Sequence, residues 1–301
     1  MRSCSFENDG LLVDFKNRWE NRIKHFKIWS DKSTMKKYMD IPYKQIGDLT
    51  LYLDLYMPES GINPPLIMWI HGGAWMYGDR KSPIMLWQVE RGYALASIEY
   101  RLTGQGVFPD HIIDCKDAII YLKKNAAKYG YNADRIAVAG DSAGGHLAAL
   151  MGSSDGHADW EPENADCSVQ AVVDYYGPIS LGKEWEGLDD KGLDDPDSVQ
   201  SQLLGAFVFS AQGKSRAADA NPVTYIDGSE PPFLILHGDA DEVVPYKQSI
   251  LLRDALESGG VPVSLHRVYG GGHGFPEGWP NDINAVVDVF LDYCLRKNGG
   301  Q

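Results

Sequence analysis

Cysteine is scarce in this chain. The four cysteines among 301 residues are Cys4, Cys115, Cys167 and Cys294, far apart and without a Cys-x-x-Cys pair. That spacing argues against a zinc site, and a chain of this length does not need a disulfide to hold its core. No cysteine is positioned as an obvious nucleophile. Positive charge is also in deficit: 28 Lys and Arg stand against 42 Asp and Glu, a formal net charge of −14. Nucleic-acid binders need basic side chains to neutralise phosphates, so no nucleic-acid partner is expected. No apolar run approaches the roughly 18 residues of a membrane-spanning helix, so no membrane span is expected. The opening Met1-Arg2-Ser3-Cys4-Ser5-Phe6-Glu7-Asn8-Asp9 lacks the basic-then-apolar pattern of a secretory leader. This leaves two readings open, a cytoplasmic protein or a secreted one whose leader has been removed. No internal repeat or linker interrupts the chain, and no metal or cofactor is expected.

Hydrophobic residues make up 44% of the sequence, enough for a substantial core. Residues 1–40 differ from the rest: Trp19, Ile23 and Phe26 sit at helical spacing among Lys and Arg, and read as an N-terminal extension packed on the core. Residues 41–301 read as one catalytic domain. Leu51–Met57 alternates like a half-buried strand, and Pro65–Ile70 and Tyr93–Ile98 are continuous apolar runs, as in strands covered on both faces. Further strands are predicted at Arg135–Ala139, Val169–Tyr175, Phe233–Leu236 and Val263–Val268. Helices are predicted at Pro83–Arg91, Asp110–Tyr129 with Gly130 ending it, Ser142–Met151, Pro245–Ser258 and Asn284–Lys297. Strands alternating with helices imply an α/β fold, a mostly parallel sheet with helices on both faces. The stretch from about 181 to 221 breaks that rhythm and reads as a small lid-like insertion. Its Asp189-Asp190-Lys191-Gly192-Leu193-Asp194-Asp195 run misses the calcium-loop spacing and reads as a solvated acidic loop.

The chemistry concentrates in Val138-Ala139-Gly140-Asp141-Ser142-Ala143-Gly144-Gly145. A buried strand enters Gly-x-Ser-x-Gly and a helix leaves it. A serine on so sharp a turn has strained backbone angles and needs small neighbours two residues away, which the glycines supply. The helix N-terminus favours developing negative charge. Upstream, His71-Gly72-Gly73-Ala74-Trp75 follows a strand, as expected of a loop that turns backbone N–H groups toward an oxyanion. The expected donors are Gly73, Ala74 and Ala143. Serine needs a base. Of eight histidines, His273 stands out, in a glycine loop after a strand and before the last helix, whereas His71 and His237 read as structural hydrogen-bonders and His146, inside the nucleophile helix, as packing or capping locally. The base needs an acid to fix its tautomer, and His237-Gly238-Asp239-Ala240-Asp241-Glu242 offers Asp239, Asp241 and Glu242. Position alone does not choose among them.

Together with Tyr100-Arg101-Leu102, Asn221-Pro222-Val223-Thr224-Tyr225 and Gly272-His273-Gly274-Phe275, these motifs resemble the α/β-hydrolase-fold esterases of the BD-FAE-like group. That group comprises bifunctional feruloyl and acetyl-xylan esterases, near the hormone-sensitive-lipase family. The resemblance covers roughly residues 40 to 297. It implies Asp241 as the acid, three positions after the glycine of His-Gly, with Ser142 as nucleophile and His273 as base. Ala74 stands where the oxyanion triplet often has glycine; the amide survives that change while the acyl side narrows. The implied activity is a serine carboxylesterase acting through an acyl-serine intermediate on small-molecule or carbohydrate esters, with acetyl or feruloyl groups on plant cell-wall sugar foremost. An amide hydrolase, such as an arylformamidase or peptidase, is the second reading, because the same triad cuts amides. A non-catalytic hydrolase-fold binding protein is the third, disfavoured by the presence of all three triad residues.

Overall fold

The computed structural model describes residues 35–59, 61–156, 165–182, 195–275 and 281–296. The predicted N-terminal stripe of Trp19, Ile23 and Phe26 and most of the acidic loop at 183–194 lie outside the described residues.

The apolar runs become strands at the centre of one sheet. Eight strands, β1 (Lys36–Ile46), β2 (Leu49–Met57), β3 (Leu66–Ile70), β4 (Ala94–Ile98), β5 (Ile136–Asp141), β6 (Ala171–Tyr175), β7 (Phe233–Gly238) and β8 (Val263–Val268), lie in the order β1-β2-β4-β3-β5-β6-β7-β8. The first two pairings, β1 with β2 and β2 with β4, are antiparallel, and all others are parallel. Every residue of β3, β4, β5, β6 and β7 is buried, which is why these segments read as unbroken apolar runs. Edge strand β8 is only partly covered and alternates accordingly.

Helices α1 (Asp110–Tyr129), α2 (Ala143–Ser153) and α5 (Lys247–Ser258) cover one face, where Ile112, Leu122, Leu147 and Leu252 join Leu66, Val138 and Val172 in the larger core. Helix α6 (Asn281–Leu295) and a 3-10 turn at Ile84–Val89 cover the other, with Val287 and Leu291 against Trp69 and Val173. This is the mostly parallel α/β architecture expected. Helix α1 has the predicted bounds, and Gly130 ends it in the left-handed region at φ 92°.

Three elements differ from expectation. The predicted Pro83–Arg91 helix is a 3-10 turn beginning after Pro83, too short and too interrupted by Gly92 to propagate. Residues 36–40, grouped with the N-terminal extension by sequence, form the start of β1, so the sheet begins before residue 41. This strand was not predicted because its exposed, lysine-rich edge carries no apolar run. The insertion contains two short helices, α3 (Val199–Leu204) and α4 (Ala211–Asp219), whose caps Ser198 and Ser210 accept from the amides of Ser201 and Gly213. The insertion docks on the core through the Leu203 carbonyl, which accepts from Phe108 N–H at 2.8 Å, and through the Ala220 carbonyl, 2.7 Å from His146 Nε2.

Candidate active site

The parallel strands bring their carboxyl ends to one edge, where loops from different strands converge. Ser142 sits there between β5 and α2, with φ 53° and ψ −119°, a left-handed combination that a side chain makes costly. The turn is held from both sides: Ser142 N–H donates to the Tyr175 carbonyl at 2.8 Å, and its carbonyl accepts from His146 N–H at 3.0 Å. The flanking glycines are sterically required. A Cβ on Gly140 would lie 2.2 Å from the Gly144 carbonyl oxygen, and one on Gly144 would lie 2.1 Å from that of Ile70. Helix α2 therefore packs directly against the end of β3.

That contact also positions the His71–Trp75 loop. Asp141 Oδ1 accepts from Gly72 N–H at 2.8 Å, tying the loop to the residue before Ser142. The Tyr100 hydroxyl donates to the His71 carbonyl at 3.0 Å, and its ring stacks on the His71 imidazole at 4.4 Å. Gly73, Ala74 and Trp75 then run at φ 117°, 54° and 57°, a sharp reversal closed by the Met76 and Tyr77 amides on the Gly73 carbonyl. Among the described loop and cap hydrogen bonds, none engages the amides of Gly73, Ala74 or Ala143.

His273 comes from the loop after β8. Its Nε2 lies 3.1 Å from Ser142 Oγ and its Nδ1 lies 2.7 Å from Asp241 Oδ2. Tyr176, itself at φ 44°, stands edge-on to the His273 ring at 4.8 Å. Asp241, buried beyond β7, accepts through Oδ1 from the Val243 and Val244 amides at 2.8 and 2.9 Å. Burial opposes its ionisation, but hydrogen bonds from His237 and His273 outweigh that and hold its carboxyl well below the usual range.

The other two acids are elsewhere. Asp239 pairs with Arg267 and accepts from Gly270 N–H, while no hydrogen bond joins Glu242 to His273 among the described residues. His71 serves structure, as expected, whereas His146, expected to pack or cap locally, reaches across to the Ala220 carbonyl; burial pushes its imidazole down to about 4. His237 does more than expected, since its Nε2 reaches Asp241. Sequence reasoning assigned no role to Asp141, Tyr100 or Tyr176, although Asp141 lies inside the Gly-x-Ser-x-Gly run and Tyr100 inside the Tyr100-Arg101-Leu102 motif.

Among the described residues no His, Cys, Asp and Glu cluster could hold a metal ion, and no helix is long and apolar enough to cross a membrane. Cys115, Cys167 and Cys294 are buried free thiols. A cavity of about 560 Å³, lined by Arg135, Ser153, Asp155, Glu230 and Cys294 among others, opens at the opposite, amino-terminal edge of the strands. It shares no residue with the Ser142 constellation.

The family model described as BD-FAE matches residues 53–256. The chain is 33% identical over 264 residues to the esterase LipQ of Mycobacterium tuberculosis, covering 82% of this chain and 58% of that protein. It is 28% identical to a probable isoprenylcysteine alpha-carbonyl methylesterase of Oryza sativa subsp. japonica, covering 81% of this chain and 57% of that protein. The chain thus spans little more than half the length of these relatives. A solved truncated carbohydrate esterase from gut microbiota superposes with a TM-score of 0.73 at 27% identity, covering 85% of this chain and 95% of that one.

Proposed function

The chain belongs to the BD-FAE family of α/β-hydrolase-fold esterases, and from that premise we propose that it hydrolyses carboxylic esters through an acyl-Ser142 intermediate. One observation supports this most strongly: the Ser142 Oγ to His273 Nε2 contact at 3.1 Å continues through His273 Nδ1 to Asp241 at 2.7 Å. Ser142 Oγ attacks the ester carbonyl while His273 Nε2 takes its proton. Asp241, an acceptor only, keeps the hydrogen of the neutral imidazole on Nδ1 and stabilises the imidazolium that forms. The N–H groups of Gly73, Ala74 and Ala143 hold the oxyanion. His273 returns the proton to the leaving alcohol. Water then repeats the sequence on the acyl enzyme and frees Ser142.

The substrates we propose are short-acyl esters, acetyl or feruloyl, on plant cell-wall carbohydrate. The resemblance of the motifs and the carbohydrate-esterase neighbour support this class. The plant methylesterase relatives support a second reading, a carboxylic acid methyl ester with methanol as the leaving group. The test is a panel of acetyl, butyryl, octanoyl, feruloyl, methyl-ester and formamide substrates, run on the parent and on Ser142→Ala. Highest turnover on acetyl or feruloyl sugars is expected, with none in the variant. Retained turnover in Ser142→Ala would refute the nucleophile, and a preference for the formamide would replace the ester reading by amide hydrolysis.

A further inference from the structure

Asp241 is held from two sides. Opposite His273 lies His237, fully buried at the end of β7. Its Nε2 is 3.2 Å from Asp241 Oδ2 and 2.9 Å from the Val244 carbonyl oxygen. Both partners are acceptors, so Nε2 carries a hydrogen and donates. Its Nδ1 is 2.6 Å from the hydroxyl of Ser249, in the first turn of α5. With Nε2 protonated, the neutral ring offers a lone pair at Nδ1, and Ser249 Oγ–H donates to it. One tautomer of a neutral ring therefore satisfies every contact.

We propose that His237, fixed by Ser249, is a positioning residue that holds Asp241 and sets the basicity of His273. The proposal rests on the triad reading above. His237 touches neither Ser142 nor the reacting atoms. It acts because Oδ2 of Asp241 is shared between two N–H donors, His273 Nδ1 and His237 Nε2. Donation from His237 draws negative charge away from the His273 side, so the imidazolium is stabilised less than it would be by an undivided carboxylate. The same bond, with the two amides on Oδ1, prevents the carboxylate from rotating. Ser249 matters because a hydrogen on Nδ1 instead would turn the Nε2 lone pair toward two oxygens. The other groups around the ring are Asp174 on β6, and Tyr176 and Tyr246, edge-on at 6.3 and 5.5 Å.

The experiment compares the full chain with His237→Leu, His237→Gln, Ser249→Ala and Ser142→Ala. It reads kcat, KM and the pH profile of kcat/KM for p-nitrophenyl acetate, with urea unfolding of each protein. His237→Leu should lose on the order of tenfold or more in kcat at little change in KM. Its acid limb should move to higher pH, because the undivided Asp241 charge raises the basicity of His273. His237→Gln places an amide N–H near the lost Nε2 and should recover most of kcat and the parent limb. Ser249→Ala should shift the limb in the same direction as His237→Leu, by less. Lower urea midpoints with parent-like kcat and pH limbs would overturn the proposal, as would a Gln variant no better than Leu. If the Leu variant does not fold, Ser249→Ala decides, and an unshifted limb overturns the proposal. Ser142→Ala separates the two levels: turnover there sinks the triad itself, whereas an inert Ser142→Ala beside parent-like His237 variants sinks only this inference.

Discussion

Replacing Asp241 with Asn tests the choice of acid most directly, because all four groups hydrogen-bonded to its carboxylate are donors. His273 and His237 face Oδ2 at 2.7 and 3.2 Å, and the Val243 and Val244 amides face Oδ1 at 2.8 and 2.9 Å. A carboxamide keeps only one oxygen. If its NH2 points toward Val243 and Val244, two backbone N–H groups lose their acceptor, at about 1–3 kcal/mol for the buried Val244 amide and less for the partly buried Val243 amide. If it points toward His273, the imidazole must move its hydrogen to Nε2, and Nε2 can then no longer accept the Ser142 proton. Either orientation does damage, and the second disables the proposed base. Loss of the corresponding acid in serine hydrolases costs about four powers of ten in rate, some 5 kcal/mol of transition-state stabilisation. We expect Asp241→Asn to lose kcat/KM on p-nitrophenyl acetate by that order and to unfold at lower urea. Asp239→Asn serves as the control. Asp239 is bound to Arg267 and the Gly270 amide, away from His273, and should cost no more than a few-fold. Activity of Asp241→Asn within tenfold of the parent, or a greater loss in Asp239→Asn, would refute the reasoning.

Three further outcomes follow from the same geometry. Ser142→Gly should be about 1 kcal/mol more stable to urea than Ser142→Ala, because glycine accepts φ 53° and ψ −119° while alanine retains the strain, an advantage reduced by the entropy glycine adds to the unfolded chain; equal or lower stability would mean the elbow is unstrained. Gly144→Ala should lose activity and about 3 kcal/mol or more of stability, since its Cβ would meet the Ile70 carbonyl at 2.1 Å and force α2 off β3; near-parent urea midpoint and turnover would contradict the packing. Burial pushes the Asp174 carboxyl up to about 6, so the folded state binds the extra proton between the unfolded value of about 4 and 6. Its contribution to stability is therefore greatest at low pH and declines as pH rises through that window, by about 3 kcal/mol. Asp174→Asn should flatten this part of the urea-midpoint profile, and an unchanged slope would exclude Asp174 as its source.

What could be read from sequence follows physical locality. The buried parallel strands announced themselves because a strand covered on both faces must be apolar throughout, and α1 because its amphipathic face ends at a glycine in left-handed geometry. Strand β1 was invisible because an edge strand is allowed to be polar, and its membership depends on pairing with β2. The insertion helices were invisible because each is less than three turns long, with serine caps as the only local signal. The Gly-x-Ser-x-Gly run stood out because steric demands act between neighbours in the chain. Asp239, Asp241 and Glu242 stayed equivalent by position because what separates them, the direction of a side chain toward a loop some thirty residues on, is not local.

The sequence by itself determined the alternation of strands and helices, the glycines that the Ser142 turn requires, and the chain order of serine, acid and histidine. These depend on periodicity and on the sterics of adjacent residues. The motif resemblance already pointed to Asp241, and the tertiary structure supplied the contacts: that Asp241 rather than Asp239 faces His273, that Asp141 ties Gly72 to the elbow, and that His237 and Ser249 stand behind Asp241. Each of those is a hydrogen bond between atoms that backbone connectivity leaves free to point elsewhere, and it exists because β5, β7 and β8 deliver their loops to the same edge of the sheet.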